Sequence, residues 1–339
     1  LMAGTMSVCI SGGDVWAKTV YVADGSEVSI NEDLGGDIIA GQFLNKDGQI
    51  NCSESQGVEV KSLSGQALQQ TANNNLQTHL IFAGTLSSDD EIIGGSYDRI
   101  GSGMLTVAGT QIDFSGTAGA ITGGGKAASQ KDINSSAANS RVSGNTVINI
   151  NGGSISGLVA GGGSAKSNVS DTNTTADVGG NTAIHVSGGE LGGLVGGGYA
   201  YTYNSVNVRA AARVEGTAAI VINAGQINKI KDTNVAKFND AAIAGGGLAM
   251  SSSTQTSAAS VYVGKAQITI AGGTVSGNVY GGGLAVNAGS SAIAGSTQVT
   301  IAGGKINGQK IYGGGSAVGA GSEAVTGNTS LILTAADTG

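Results

Sequence analysis

Residues 268–283 read Ile-Thr-Ile-Ala-Gly-Gly-Thr-Val-Ser-Gly-Asn-Val-Tyr-Gly-Gly-Gly, and residues 299–315 read Val-Thr-Ile-Ala-Gly-Gly-Lys-Ile-Asn-Gly-Gln-Lys-Ile-Tyr-Gly-Gly-Gly. The two agree almost position by position, and the agreement extends outward. Triple glycines recur at Gly123–Gly125, Gly161–Gly163, Gly196–Gly198 and Gly245–Gly247 as well as Gly281–Gly283 and Gly313–Gly315. Each belongs to a unit that opens on a single glycine: Gly144, Gly180, Gly216, Gly264, Gly295 and Gly327, spaced 36, 36, 48, 31 and 32 residues apart. Self-similarity at such a period marks a repeat architecture.

Within each unit apolar residues alternate, the period of a strand with one buried face. Across units they form columns. Ile148, Ile184, Ile220, Ile268, Val299 and Leu331 make one; Ile150, Val186, Ile222, Ile270, Ile301 and Leu333 the next. After a Gly-Gly or Ala-Gly corner come Ile155, Leu191, Ile227, Val275 and Ile306, then Val159, Leu194, Ile243, Val279 and Ile311. Ala127, Ala165, Ala200, Ala249, Ala285 and Ala317 follow the glycines. Strands this short cannot bury a face alone, whereas columns stacked one above another make a continuous core. The expected fold is all-β: a right-handed parallel β-helix (β-solenoid) with about three strands per coil and a repeat of roughly 31–36 residues. About nine coils at ~4.8 Å would span roughly 45 Å.

Earlier copies are worn. Thr110–Phe114 leads to Ile121, and His79–Phe82 leads to Leu86 and Ile92. Val20–Val22, Val28–Ile30 and Val58–Val60 alternate but lose the spacing. Residues 1–75 are therefore expected to be a cap and irregular first coils, with the lone Trp16 plugging the open core, and residues 76–339 the regular solenoid with an inserted loop near 228–240. The triple glycines are expected at corners with positive φ, where a Cβ is unwelcome. A phosphate-binding loop occurs once, opens a helix and carries Lys-Ser/Thr, which six copies without a helix do not match. No cofactor is expected.

Composition agrees. Gly supplies 61 of 339 residues, Pro none, and only 12% are charged and 4% aromatic, so small and β-branched residues must do the packing. The formal charge is −7, with 16 basic and 23 acidic residues and no basic run, which argues against nucleic acid and anionic membrane surfaces. No apolar window approaches the length of a spanning helix. The start, Leu1-Met-Ala-Gly4, lacks the features of a signal peptide, so any such segment is expected to be removed or to lie outside these residues. Cys9 and Cys52 have no CxxC or nearby histidine. Two readings stay open: a disulfide fastening the first turns, worth about 3–4 kcal/mol for a loop of this length, and two buried free thiols.

The units resemble the β-helical passenger domains of bacterial autotransporters and related surface adhesins, well over residues 78–333 and poorly before. The resemblance implies a secreted, extracellular or cell-surface solenoid and says little about activity, because such passengers include adhesins, aggregation factors and enzymes. A translocator barrel is not visible and is expected to be absent or removed.

Catalysis on such a fold would need clustered carboxylates with Arg or Lys on one outer face. The position after the Gly-Gly corner reads Ser154, Glu190, Gln226, Thr274 and Lys305, with no acidic stack. Asp171 and Asp177 have no acidic equivalents in the next unit, which carries Arg209, Arg213 and Glu215. Asp89, Asp90 and Glu91 form the densest acidic patch, read as a solvated turn with a calcium site as the alternative. His79 and His185 lie far apart, His185 pointing outward, so a catalytic triad or His-based metal site is hard to assemble. No catalytic or metal residue is assigned.

Binding tends to live where a repeat breaks. The 48-residue spacing means about 12 extra residues, placed within Asn228–Asp240, with Lys229, Lys231, Lys237 and Phe238 as candidate partner contacts. Tyr199, Tyr201 and Tyr203 are a second set, aromatics able to stack on sugars or another protein. Tyr280 and Tyr312 share a column and should stack on each other. Thr146, Thr182 and Thr297, with the Ser/Thr/Asn-rich segments, are expected to make weakly charged outer faces. The leading expectation is a non-enzymatic passenger mediating adhesion or cell-cell association, its partner a host or bacterial surface protein or glycan, or itself. The alternatives are a subunit of a self-assembling surface fibre and a carbohydrate-active enzyme.

Overall fold

The computed structural model describes residues 20–22, 25–31, 33–34, 36–40, 43–44, 70–72, 77–98, 101, 104–129, 137–203, 207–231, 240–251, 257–308 and 310–334. Among them every regular element is a strand, and no helix is long and apolar enough to cross a membrane. Cys9, Cys52, Trp16, Val58–Val60, Lys237 and Phe238 lie outside the described residues.

The chain is a parallel β-solenoid. In the coil of residues 139–167, Asn139–Val142 and Thr146–Ile150 belong to a 13-stranded sheet, Ser154–Ile155 to a six-stranded one, Val159–Ala160 to a nine-stranded one and Ser164–Ser167 to an eight-stranded one. In later coils the first two strands merge into Arg209–Ile222, Ala258–Ile270 and Ser290–Ile301. Four strips thus run along the stack where the sequence counts about three strands per coil.

The columns are the pairing register. Ile148 lies beside Ile112 and Ile184, Ile155 beside Leu191, Val159 beside Leu194 and Ala165 beside Ala200. The stack also takes in early strands that the spacing does not reveal: Val28 pairs with Leu80 and Ile30 with Phe82, while Val20–Val22 lies against Ile38–Ala40. Among the described residues pairing is parallel except for Gln70–Ala72, which runs antiparallel to Ser26–Val28.

Each coil has two lobes. The larger is filled by the Ile148, Ile150, Ile155 and Val159 columns, and Phe82 and Phe114 stack in it at 5.9 Å. Each such side chain contributes roughly 1.5–3 kcal/mol by leaving water. The smaller lobe is thin because its walls are alanine: Ala165, Ala200 and Ala249 face Ala176, Ala212 and Val261. Between them the triple glycines press against the 13-stranded sheet and form a waist.

That waist corrects the expectation about the glycines. Of the triple-glycine residues only Gly247 has positive φ, 117°. Nearly all the others lack the space: a Cβ on Gly123, Gly161 or Gly196 would stand 2.5–2.7 Å from the carbonyl oxygen of the equivalent glycine in the next coil. A Cβ on Gly198 would meet that of Ala212 at 2.5 Å. Positive φ belongs instead to the second residue of the other corner, at Gly153 (82°), Gly189 (88°), Gly225 (93°), Gly273 (75°) and Gly304 (78°).

The threonine columns are corrected too. Thr146, Thr182 and Thr297 are buried and point inward, and their hydroxyls donate to the carbonyls of Gly161, Gly196 and Gly313 at 2.7, 2.7 and 2.6 Å. They tie the waist together and are not part of an outer face.

At the waist the chain turns so that the outer faces of the nine- and eight-stranded sheets meet in a re-entrant angle. Ala160, Val195, Ala244 and Tyr280 from one face pack against Tyr199, Tyr201, Leu248, Met250, Leu284 and Val286 from the other.

Candidate binding site at the base of the insertion

The corner between the two-residue strand and the strand leading to the triple glycine is a column of small residues. Gly119 and Gly157 occupy it early, Gly192 and Gly193 next, and Gly277 and Gly308 later. Adjacent carbonyls stand where a Cβ would go: that of Gly119 at 2.6 Å from Gly157, and that of Asp240 at 2.5 Å from Gly277. The insertion leaves the coil here after Ile227 and returns at Asp240.

Its exit is anchored. Ile230 is buried in the re-entrant cluster with Tyr199 and Tyr201, and its amide donates to the Ala241 carbonyl at 2.7 Å. Lys229 then projects the other way, and its Nζ reaches Asp240 Oδ1 at 2.7 Å, an ion pair open to solvent, with side-chain exposures of 49% and 69%. Asn228 donates to Glu190 Oε1 at 3.0 Å, tying the exit to the preceding coil. Lys231 is exposed.

Between this ion pair and the next two coils lies a cavity of about 100 Å³, lined by Lys229, Asp240, Ser276, Gly277, Asn278, Asn307 and Gly308. Asn278 holds its wall: its Oδ1 accepts from the Lys310 amide at 3.0 Å, and its side chain is hydrogen-bonded to the Tyr280 hydroxyl. Burial pushes the Tyr280 phenol above its ordinary range, against that hydrogen bond. Tyr280 and Tyr312 stack as their shared column requires, rings 4.7 Å apart and 14° from parallel. Tyr280 is buried beneath Tyr312, which stands in the last described coil and is 36% exposed.

The tyrosine run divides. Tyr199 and Tyr201 are buried in the re-entrant angle at 8% and 6% exposure, and Tyr203 is 41% exposed with its ring edge-on to Tyr201 at 4.5 Å. Alternation does place Tyr199 and Tyr201 on the outer face, opposite Ala200, but the neighbouring sheet covers that face. Only Tyr203 of the three is substantially open. Asp240, Ser276, Asn278 and Asn307 are lining residues that sequence reasoning missed; the signal available was the corner column, where Ser276-Gly-Asn278 and Asn307-Gly308 align beside the insertion.

Elsewhere the charged side chains pair between coils. Glu91, expected in a solvated turn, accepts from Lys126 Nζ and Thr122 Oγ1, each at 2.5 Å, with Glu91 and Lys126 only 14% and 13% exposed. Burial raises the Glu91 carboxyl, but Lys126 and Lys166 together with these hydrogen bonds hold it below its ordinary range, and Lys126 is raised against its own burial by Glu91. Asp89 is exposed, in keeping with a solvated turn. Asp37 accepts from the Glu91 amide at 2.8 Å, and burial raises its carboxyl. A raised and a lowered carboxyl side by side suggest an acid-base pair, but both Glu91 oxygens are already engaged.

His79 sits between Glu27 (Nδ1, 3.1 Å) and Asp113 (Nε2, 2.6 Å). The two carboxylates lie on opposite sides of the ring, so no single cation could be shared by all three. Among the described residues no group of His, Cys, Asp and Glu is placed to hold a metal ion. Asp177 aligns with Arg141 and Arg213, and Arg213 lies over the Tyr262 ring at 4.8 Å. A second cavity, about 300 Å³, is lined by Asp171, Thr172, Asn173, Asn207 and Arg209. No protein family, curated protein or solved structure matches this chain.

Proposed function

We propose that the chain is the extracellular, non-enzymatic passenger region of a bacterial surface protein, a β-solenoid shaft that mediates adhesion or cell-cell association. The observation that supports this reading is the placement of the insertion: the stack of coils is interrupted at a corner, and there an open ion pair and a small polar cavity stand together. A shaft held by in-register pairing across nine coils keeps such a site in a fixed position without loop closure or an enclosed active-site cleft. The charged clusters elsewhere join neighbouring coils, a role in stiffening the shaft.

Display of the chain on the surface of a non-aggregating bacterium tests the proposal. Clumping or adherence to a host-cell layer, measured by sedimentation and by counting bound cells, is the expected result. Cells that carry the chain at the surface, detected by antibody, and neither clump nor adhere would overturn it.

A further inference from the structure

We infer that Asn151 is a site of spontaneous modification, where the side chain closes on the Gly152 amide to a succinimide that water opens to aspartate or isoaspartate. The inference stands independently of the adhesion reading.

The sequence holds two Asn-Gly pairs, Asn151–Gly152 and Asn307–Gly308. A glycine after asparagine leaves the amide nitrogen unshielded, because it has no Cβ to obstruct a close approach. The fold treats the two pairs differently. Both asparagines are exposed, but Gly308 is wedged against the preceding coil: a Cβ there would stand 2.0 Å from the carbonyl oxygen of Gly277 and 2.4 Å from its carbon. Nothing lies within 4 Å of the same point on Gly152.

Hydrogen bonding separates Gly152 from its own column. At equivalent corners the amides of Ala224, Gly272 and Gly303 donate to the carbonyls of Val186, Ile222 and Ile270, at 3.4, 3.2 and 3.2 Å. Among the described residues the Gly152 amide has no acceptor and the Asn151 side chain no partner. The free stretch is short. The Asn151 amide donates to the Phe114 carbonyl at 2.8 Å and the Ser154 amide to that of Gly116 at 2.9 Å, so both sides of the corner are tied to the preceding coil. The two groups that must meet are exposed, adjacent and unengaged.

The step balances with water as the only co-reactant. The Gly152 nitrogen gives its proton to solvent and bonds to Asn151 Cγ; the Cγ–Nδ2 bond breaks, and that nitrogen takes up a proton and leaves as ammonia. Water then opens the ring. Addition at Cγ leaves aspartate at 151, while addition at the main-chain carbonyl routes the backbone through Cγ and lengthens it by a methylene. The open space beside Gly152 accommodates the added length. Either product places a carboxylate in a column whose next members, Ser187 and Asn223, are neutral.

Peptide mapping of the full chain after incubation at neutral pH and physiological temperature, with fragmentation that separates aspartate from isoaspartate, tests the assignment. Both products are expected at 151, accumulating about tenfold faster than at Asn307. In urea the two pairs should convert alike, since the fold sets the difference. Gly152→Ala should slow conversion about tenfold by crowding the nitrogen. Circular dichroism melts establish that this variant is folded, and if it is not, the native and urea rates of the parent chain carry the comparison. Conversion at 151 no faster than at 307 in the folded chain, a preference that persists unchanged in urea, or aspartate without isoaspartate would each overturn the inference.

Discussion

Thr146 Oγ1 donates a 2.7 Å hydrogen bond to the carbonyl of Gly161, across the waist of its own coil. The ladder between coils uses the carbonyls on either side, Ala160 and Gly162, which accept from Gly123 and Gly124. The threonine thus satisfies the carbonyl between them. Thr146→Val keeps the shape and removes the donor, so it should cost about 1–3 kcal/mol, the penalty of a buried acceptor left unpaired. Urea denaturation of the variant measures this, and an unchanged midpoint would show that the hydroxyl is dispensable.

The glycines of one coil should respond in opposite ways to the same substitution. Gly152 has open space where a Cβ would stand, and Gly161 has the Gly196 carbonyl at 2.5 Å and the Thr182 side chain at 3.1 Å. Gly152→Ala is expected to change stability by less than about 0.5 kcal/mol. Gly161→Ala must force the coils apart and should cost about 1–3 kcal/mol or more. Parallel thermal melts of the two variants test the contrast.

Glu91 and Lys126 form a largely buried pair that joins the nine-stranded sheet of one coil to the eight-stranded sheet of the next. Glu91→Gln removes the charge and leaves the ammonium beside the Tyr97 ring at 5.0 Å as one of its remaining partners. The expected loss is about 3 kcal/mol, read by chemical denaturation at neutral pH. A loss within error would mean that solvent reaches the pair and screens it.

Stability should depend on pH with two opposite contributions. Glu91 and Asp113 have lowered carboxyls in the fold: Glu91 through Lys126 and its hydrogen bonds, Asp113 through Asn149 and His79, in each case against burial. Their contribution is present above the ordinary carboxylate range and is lost as pH falls through the lowered values. Asp37 is raised by burial, so its contribution is present below the ordinary range and is lost as pH rises through the raised value. Asp37→Asn keeps an oxygen for the Glu91 amide and removes the buried charge. The variant should gain stability at pH 7 relative to the parent, and the gain should shrink towards pH 4. Melts at both values check the sign, and a larger gain at pH 4 would refute it.

Much of the fold is legible in the sequence because a solenoid repeats by translation. The columns through Ile148, Ile155, Val159 and Ala165 are local patterns of period two, and stacking turns them directly into pairing register. The same rule places Thr146 on the face of Ile148 and Ile150, and only its polarity suggests the outside. The inward position is stable because a carbonyl waits there, and that carbonyl is brought by the opposite side of the coil.

The candidate site divides along the same line. Sequence marks the insertion and the Tyr280–Tyr312 column, since both are visible along one dimension. It does not bring Lys229 to Asp240, or either to Asn278 and Ser276, because those residues meet only when successive coils lie side by side. The sequence by itself determined that the chain stacks, in which register, and where the stack is interrupted. Only the tertiary structure decided that the coil has a waist and that Tyr199 and Tyr201 are covered by a neighbouring sheet. Each of these depends on the angle between sheets and the space between coils, and a pattern of residue types along the chain carries neither.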